Sequence, residues 1–248
     1  MANNTIWLVG HHAIDALFRT NPERAIELLV TDNNNSSSQK IIVTAKENQI
    51  PITVCDKFSL RKRCGIDQNQ GIALCAKLKP ELKESELDAF VEMIDRPLLL
   101  ILDQVQDPHN FGACLRTADA AGVDAVIVAK DNAAPISAVV QKVASGAAET
   151  MPVYRVTNLA RTMEMLKQSG VWLIGTSDKA SQSLYDHDFT GSTAIVMGAE
   201  GKGLRHLTET KCDSLVSLPM AGDIVSSLNV SVATGVCLYE VVRQRTNY

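Results

Sequence analysis

Five short, nearly unbroken apolar runs constrain most of this chain: Pro97 to Leu102, Ala125 to Val128, Val171 to Gly175, Ala194 to Met197 and Leu215 to Leu218. Runs of this kind, apolar without alternation, mark parallel strands covered on both faces. Between them Phe111 to Ala121, Pro135 to Ala144 and Leu159 to Gln168 carry apolar residues at helical spacing. Repeated strand, helix, strand order predicts a doubly wound α/β sheet, with its site at the C-terminal ends of the strands.

The segment before these runs is built from shorter units. Gly10 to Phe18 reads as a helix and Ile26 to Val30 as a strand. A polar turn over Asp32 to Ser38 feeds a helix reaching Asn48, and Ile52 to Val54 and Gly71 to Ala76 read as short strands. Lys77 to Asp95 is charged, contains Pro80 and regains apolar spacing only near Leu87 to Ile94, so it reads as a linker ending in a short helix. The expected division is therefore a small α/β domain over residues 1–78, a linker over 79–95 and the parallel-sheet domain over 96–248. No internal repeat is present.

The formal net charge is -4, which argues against a generally polycationic nucleic-acid binder. Residues 1–78 nevertheless carry nine Lys/Arg against seven Asp/Glu, and the remainder 15 against 21. The densest basic cluster, Arg61-Lys62-Arg63, reads as a solvated turn or as an edge that contacts phosphate. Six scattered cysteines with no CxxC pair and no neighbouring histidine cluster read as reduced thiols. His11 and His12 are adjacent, so a helix points them in different directions and they do not share a metal. No run approaches the roughly 18 apolar residues of a membrane helix, and the N-terminus lacks a secretion pattern, so a cytoplasmic protein is expected.

Three segments fall where the strand-end rule places function. In Asp103 to Arg116, Pro108 and Asn110 stand at a helix start, where Asn is either a cap or a site residue. Arg116 lies further along, among Ala113, Cys114, Ala118, Ala120 and Ala121, where its guanidinium needs a carboxylate or phosphate acceptor. Gly198 to Leu204 fails both phosphate-loop templates: Val196 and Gly203 stand where GxxxxGK[ST] needs Gly and a hydroxyl, and Leu204, Arg205 and His206 break GxGxxG. It remains a glycine-permissive turn with Glu200 at its apex, either a surface carboxylate or a group offered to a ligand. The third, Gly222 to Asn229, joins a strand ending at Pro219 to a helix starting near Asn229 and leaves backbone groups unpaired. Ser227 or Asn229 caps that helix, or the turn holds a ligand; both readings stand at this point. No GxSxG, HExxH or EF-hand spacing supports a hydrolase or a metal site.

Taken together, DPHNFGACLRTADAAG, VMGAEGKGL and LPMAGDIVSSLNVSVATGVCLYE resemble, in order, the three motifs of the SPOUT-class RNA ribose methyltransferases of the TrmH family. The resemblance covers Leu98 to Arg245 and includes the run Ala144 to Glu149. The first segment resembles the small ribosomal-protein-L30e-like RNA-binding domain of the RlmB subfamily. This implies a SPOUT-type parallel sheet with a C-terminal trefoil knot, which general chain-topology rules would not suggest. It implies S-adenosyl-L-methionine as methyl donor, no metal, and methylation of a guanosine 2′-hydroxyl in 23S rRNA or a ribosomal precursor, in the hairpin that contacts peptidyl-tRNA.

By the same resemblance, Gly198, Gly201, Leu218, Met220, Gly222 and Leu228 hold the cofactor. Arg116 stands at the reacting hydroxyl, supported by Asn110, Glu200, Ser227 and Asn229. A homodimer with no membrane association is implied. A guanidinium is a poor base, so the RNA phosphate or Glu200 is expected to assist while Arg116 orients the hydroxyl. One departure matters: the family pattern has one residue fewer than the four that separate Gly222 from Ser227 here, and the larger loop is expected to bulge into solvent. The alternatives are the same chemistry on tRNA and a catalytically silent, RNA-binding ribosome-assembly factor.

Overall fold

The computed structural model describes residues 4–31 and 36–246, so of the expected turn over Asp32 to Ser38 the first four residues lie outside the described residues and Ser36 to Ser38 are helical. The elements begin with β1 (Thr5–Val9), α1 (His11–Thr20), β2 (Ala25–Val30), α2 (Ser36–Glu47), β3 (Ile52–Val54), α3 (Lys57–Cys64) and β4 (Ile72–Lys77). They continue through α4 (Leu87–Glu92), β5 (Leu98–Leu102), α5 (Pro108–Ala120), β6 (Ala125–Ala129), α6 (Ala138–Val143), α7 (Ala147–Thr150) and β7 (Val153–Val156). The last are α8 (Leu159–Gln168), β8 (Trp172–Thr176), β9 (Gln182–Ser183), β10 (Thr193–Met197), α9 (His206–Lys211), β11 (Ser214–Ser217) and α10 (Val230–Arg245).

The chain forms two units, one from Met1–Pro80 with Pro135–Thr150, the other from Glu81–Ala134 with Met151–Tyr248. In the first, β1-β4-β2-β3 make one sheet, antiparallel except where β2 meets β3. Ala13, Ile14, Leu17 and Phe18 form the buried stripe of α1 and pack with Leu8, Leu28, Ile72 and Leu74. The basic cluster Arg61-Lys62-Arg63 is the last turn of α3, not a loop: Asp56 caps the start of that helix, and Gly65 ends it with φ 72°.

The compact units differ from the expected division at one stretch. Pro135–Thr150 folds with the first unit. The physical reason is a buried charge: Glu149, 1% exposed, accepts from Arg24, which is 6% exposed. Gln141 Nε2 donates to the same carboxylate at 2.7 Å, and Arg24 Nε and Nη2 donate to the Lys77 carbonyl at 3.0 and 2.8 Å. Lys79 Nζ donates to the Glu149 carbonyl at 2.6 Å. The expected linker is likewise ordered with the second unit from Glu81 on, and Leu87 and Val91 of α4 are buried in its core.

In the second unit seven parallel strands run in the order β7-β6-β5-β10-β8-β11-β9. All residues of β5, β6 and β10 are buried, as double coverage requires. Leu99 and Ile101 face a core shared with α4 and α8, while α10 packs on α5. The apolar runs located five of these strands. β7 was hidden because Tyr154 and Arg155 interrupt its apolar pattern, and β9 because it is only two residues long.

Removing Arg24 leaves the Glu149 carboxylate buried with a lost cation. R24A is expected to lower unfolding free energy by about 3–5 kcal/mol, the usual cost of breaking a buried pair from one side, as measured by urea denaturation.

Candidate functional site

β5 and β10 are neighbours in register, Leu102 opposite Met197, so the segments that follow them emerge side by side. The pairing continues one residue further, with the Asp103 N–H donating to the Met197 carbonyl at 2.8 Å. Asp103 is 1% exposed and accepts from Arg205 Nε at 2.7 Å and from the Arg205 N–H at 3.1 Å. This pair anchors the return from the glycine turn to the end of β5. The sequence reading did not single it out; its only signal was an acid directly after the first strand and an Arg directly after the turn.

The turn itself is a closed loop. The Ala199 N–H donates to the Gly203 carbonyl at 3.0 Å, and the Gly203 N–H donates back to the Ala199 carbonyl at 2.9 Å. Gly201 and Gly203 take the left-handed conformation that such closure requires, with φ 72° and 66°. Gly198 is needed for a different reason: a Cβ there would lie 2.1 Å from the Gly203 carbonyl carbon.

Glu200, held in this turn, meets the other two segments. Asn110 Nδ2 donates to Glu200 Oε2 at 3.0 Å, and Asn229 Nδ2 donates to Asn110 Oδ1 at 3.1 Å and to Glu200 Oε1 at 3.3 Å. Asn110 is not the cap of α5. Asp107 is, its Oδ1 accepting from the His109 N–H at 2.7 Å, and Pro108 occupies the helix start. Asn229 does cap α10, accepting from the Ser231 N–H at 2.9 Å and the Ser231 hydroxyl at 2.7 Å. One amide therefore serves both readings, its oxygen ending a helix and its nitrogen joining the cluster.

The remaining expected site residues are placed but not bonded into this cluster. Arg116 lies on α5, exposed, and makes no hydrogen bond or ion pair with another described residue. Ser227 is exposed and likewise unbonded. Leu218, Met220, Gly222 and Leu228 lie on the irregular segment between β11 and α10, where Leu218 and Met220 are half-buried and Gly222 is exposed. No heavy atom outside their immediate neighbours lies within 4 Å of a Cβ built at Gly201 or Gly222, so both backbones border open space. Residues 221–229 are exposed, Ile224 at 97%.

Burial raises the Cys114 thiol to about 11 and the Cys212 and Cys237 thiols to about 12, so these sulfurs stay protonated near neutral pH and are not nucleophiles. The cluster is a carboxylate fixed by two amides, and the unengaged Arg116 lies on the same helix as one of them, six residues further on. A carboxylate held in this way can accept from a hydroxyl, and a free guanidinium can stabilise negative charge brought to it.

Residues 97–239 match the SpoU rRNA Methylase family, and residues 7–82 match RNA 2'-O ribose methyltransferase substrate binding. The chain is 52% identical over 239 residues to the 23S rRNA (guanosine-2'-O-)-methyltransferase RlmB of Shewanella oneidensis, covering 96% of this chain and 97% of that one. It is 48% identical over 240 residues to the RlmB of Escherichia coli K12, covering 96% and 98%. Its fold matches the SpoU methyltransferase AviRb from Streptomyces viridochromogenes, solved in complex with AdoMet, at TM-score 0.81 and 24% identity, over 98% of this chain and 91% of that one.

G198A is expected to force the turn away from β10 and separate Glu200 from Asn110. The predicted result is faster amide hydrogen exchange over residues 199–205 and a stability loss of about 1–3 kcal/mol, the usual cost of overpacking.

Proposed function

The chain belongs to the SpoU rRNA methylase family, and from that premise we propose that it methylates a guanosine ribose 2′-hydroxyl of 23S rRNA with S-adenosyl-L-methionine as donor. The high identity to RlmB enzymes over nearly the whole chain carries the substrate. The observation that carries the catalytic assignment is the state of the arginines. Of eleven in the chain, Arg116 alone lacks a hydrogen bond or ion pair among the described residues. The other ten are engaged by carboxylates or carbonyls; this one is left for an acceptor that the protein itself does not supply.

The residues present fit the methyl donor. Gly201 and Gly222 leave space beside the backbone, and the irregular segment from Leu218 to Asn229 has backbone groups outside any ladder, able to read an adenine edge. We assign Gly198, Gly201, Leu218, Met220, Gly222 and Leu228 to holding it. When bound, the donor supplies an electrophilic methyl group on a sulfonium, whose departure as a neutral thioether needs no acid.

The chain must therefore deal with the nucleophile. Arg116 orients the ribose oxygen and stabilises the negative charge growing there. On this reading Glu200, held by Asn110 and Asn229, receives the hydroxyl proton, directly or through the RNA phosphate. Ser227 offers a free hydroxyl at the same loop for positioning the ribose.

The proposal extends to the hairpin that contacts peptidyl-tRNA as target, to a cytoplasmic setting and to a homodimer. Support for the dimer is a stripe on α10, where Val232 and Tyr239, one heptad apart, remain 53% and 52% exposed. Among the described residues no helix is long and apolar enough to cross a membrane. The small domain over 1–78 is assigned to RNA binding, with Pro135–Thr150 as its added piece. The strand order, with β10 inserted between β5 and β8, supports the knot that the family implies.

Transfer of labelled methyl to separate 23S domain V and tRNA transcripts, followed by mapping of the blocked 2′-hydroxyl, tests the reading. Label on a domain V guanosine is expected; label only in tRNA overturns the substrate. R116A should lower kcat by about 10²-fold or more while leaving donor affinity within about threefold, and R116K should not restore it. Near-intact kcat in R116A would remove Arg116 from the chemistry.

A further inference from the structure

Helix α3 carries the most basic short stretch of the chain: Lys57, Arg61, Lys62 and Arg63 occur within eight residues, with no acid among them. It buries only Leu60 and Cys64, one turn apart, against Val9, Leu29 and Ala73. Opposite that narrow face stands Phe58, 75% exposed and the most exposed aromatic side chain among the described residues. Phe58, Arg61 and Lys62 are spaced i, i+3 and i+4, so they share one face of the helix. Val54, 66% exposed, lies just before the cap Asp56.

The cations divide into two kinds. Arg61 pairs with Asp67, and Arg63 pairs with Glu27 while lying 5.7 Å from the centre of the Trp7 ring. Lys57 and Lys62 make no hydrogen bond or ion pair with a described residue. An aromatic ring left in water, beside unengaged ammonium groups on an anionic protein, is the composition that binds unpaired nucleotides. A base can stack on the ring while the flanking cations meet phosphate. A duplex would engage the cations but leave the ring without a function. A protein partner docking on an apolar patch would not call for four cations and no acid on the same helix.

We infer that the outer face of α3 is a stacking platform for an unpaired nucleotide of the RNA substrate, with Phe58 as the platform, and Lys62 on the same face and Lys57 at the helix start as its phosphate contacts. This rests on the RNA methyltransferase reading and specifies where, outside the reacting centre, the RNA is held. It is a binding surface and touches no reacting atom.

The test uses the full chain and a 23S domain V transcript. F58A is expected to raise the RNA KM about tenfold, within the range lost when one base loses its aromatic platform, with kcat and donor affinity unchanged. F58W should restore KM, and its indole fluorescence should be quenched by the transcript but not by a blunt duplex of equal length. K57E/K62E should weaken binding and reduce the slope of log K against log salt by about 1.4 to 1.8, as two phosphate contacts require. Because Phe58 is exposed, F58A should melt with the wild type. Unchanged RNA affinity in F58A overturns the platform even if wild-type methyl transfer is robust. Phe58-dependent RNA binding without methyl transfer supports the platform and overturns the enzymatic reading instead.

Discussion

The pairing of β5 with β10 is the constraint on which the second unit depends. These strands are distant in sequence, and every residue in both is buried, so apolar packing on two faces holds them together but does little to distinguish one register from the next. A slip by one residue would place Asp103 away from Met197 and break its bonds to Arg205. Because Asp103 is almost fully buried, that loss would leave an uncompensated carboxylate in the interior, costing several kcal/mol by itself. The buried pair thus fixes the strand register and, through it, the position of the Glu200 turn opposite the start of α5. The site geometry is a consequence of core packing, extended by one charged pair into the loops.

How much of this was legible in the sequence follows from what each element buries. The unbroken apolar runs located the central strands because double coverage removes polar alternatives. Helices α1 and α8 were readable because each buries a stripe with helical spacing. α3 was not, since two buried residues give too short a pattern and its charges read as a turn. β1 was missed because Thr5 is exposed and Trp7 half-buried, which leaves no long apolar run. The placement of Pro135–Thr150 could not be seen at all. Its decisive contact, Arg24 with Glu149, joins residues 125 positions apart and is not periodic. Three motifs gave the expected site residues, but not that Asn110, Glu200 and Asn229 bond to one another while Arg116 does not.

The double use of Asn229 links local stability to that site. A cap contributes on the order of 1 kcal/mol and suffices to explain an Asn before α10. Ser or Asp would serve as well at that task, yet neither offers an amide N–H₂ to Glu200 and Asn110 while its oxygen accepts from Ser231. The cap fixes the side-chain rotamer, so the entropy of ordering the amide is already spent when the cluster forms. Ile224, between Gly222 and Ser227, stands in solvent upstream of the cap.

On the proposed chemistry, Arg116 gains its chemical value only when RNA surrounds it. In the free protein its guanidinium is hydrated, and an exposed charge at high dielectric does little for a neighbouring group. Covered by substrate, the same charge about 4 Å from a developing alkoxide, at an effective dielectric near 20, is worth roughly 4 kcal/mol. That corresponds to about three pKa units on the hydroxyl. The gain depends on water being excluded, which the protein alone does not achieve at this exposed position. A structural arginine such as Arg24 could not act this way, because its donors are already directed at a buried carboxylate and a carbonyl. On the proposed chemistry the substrate therefore completes the dielectric environment that activates it, so a free nucleoside, unable to cover Arg116, would be a far poorer acceptor than folded RNA.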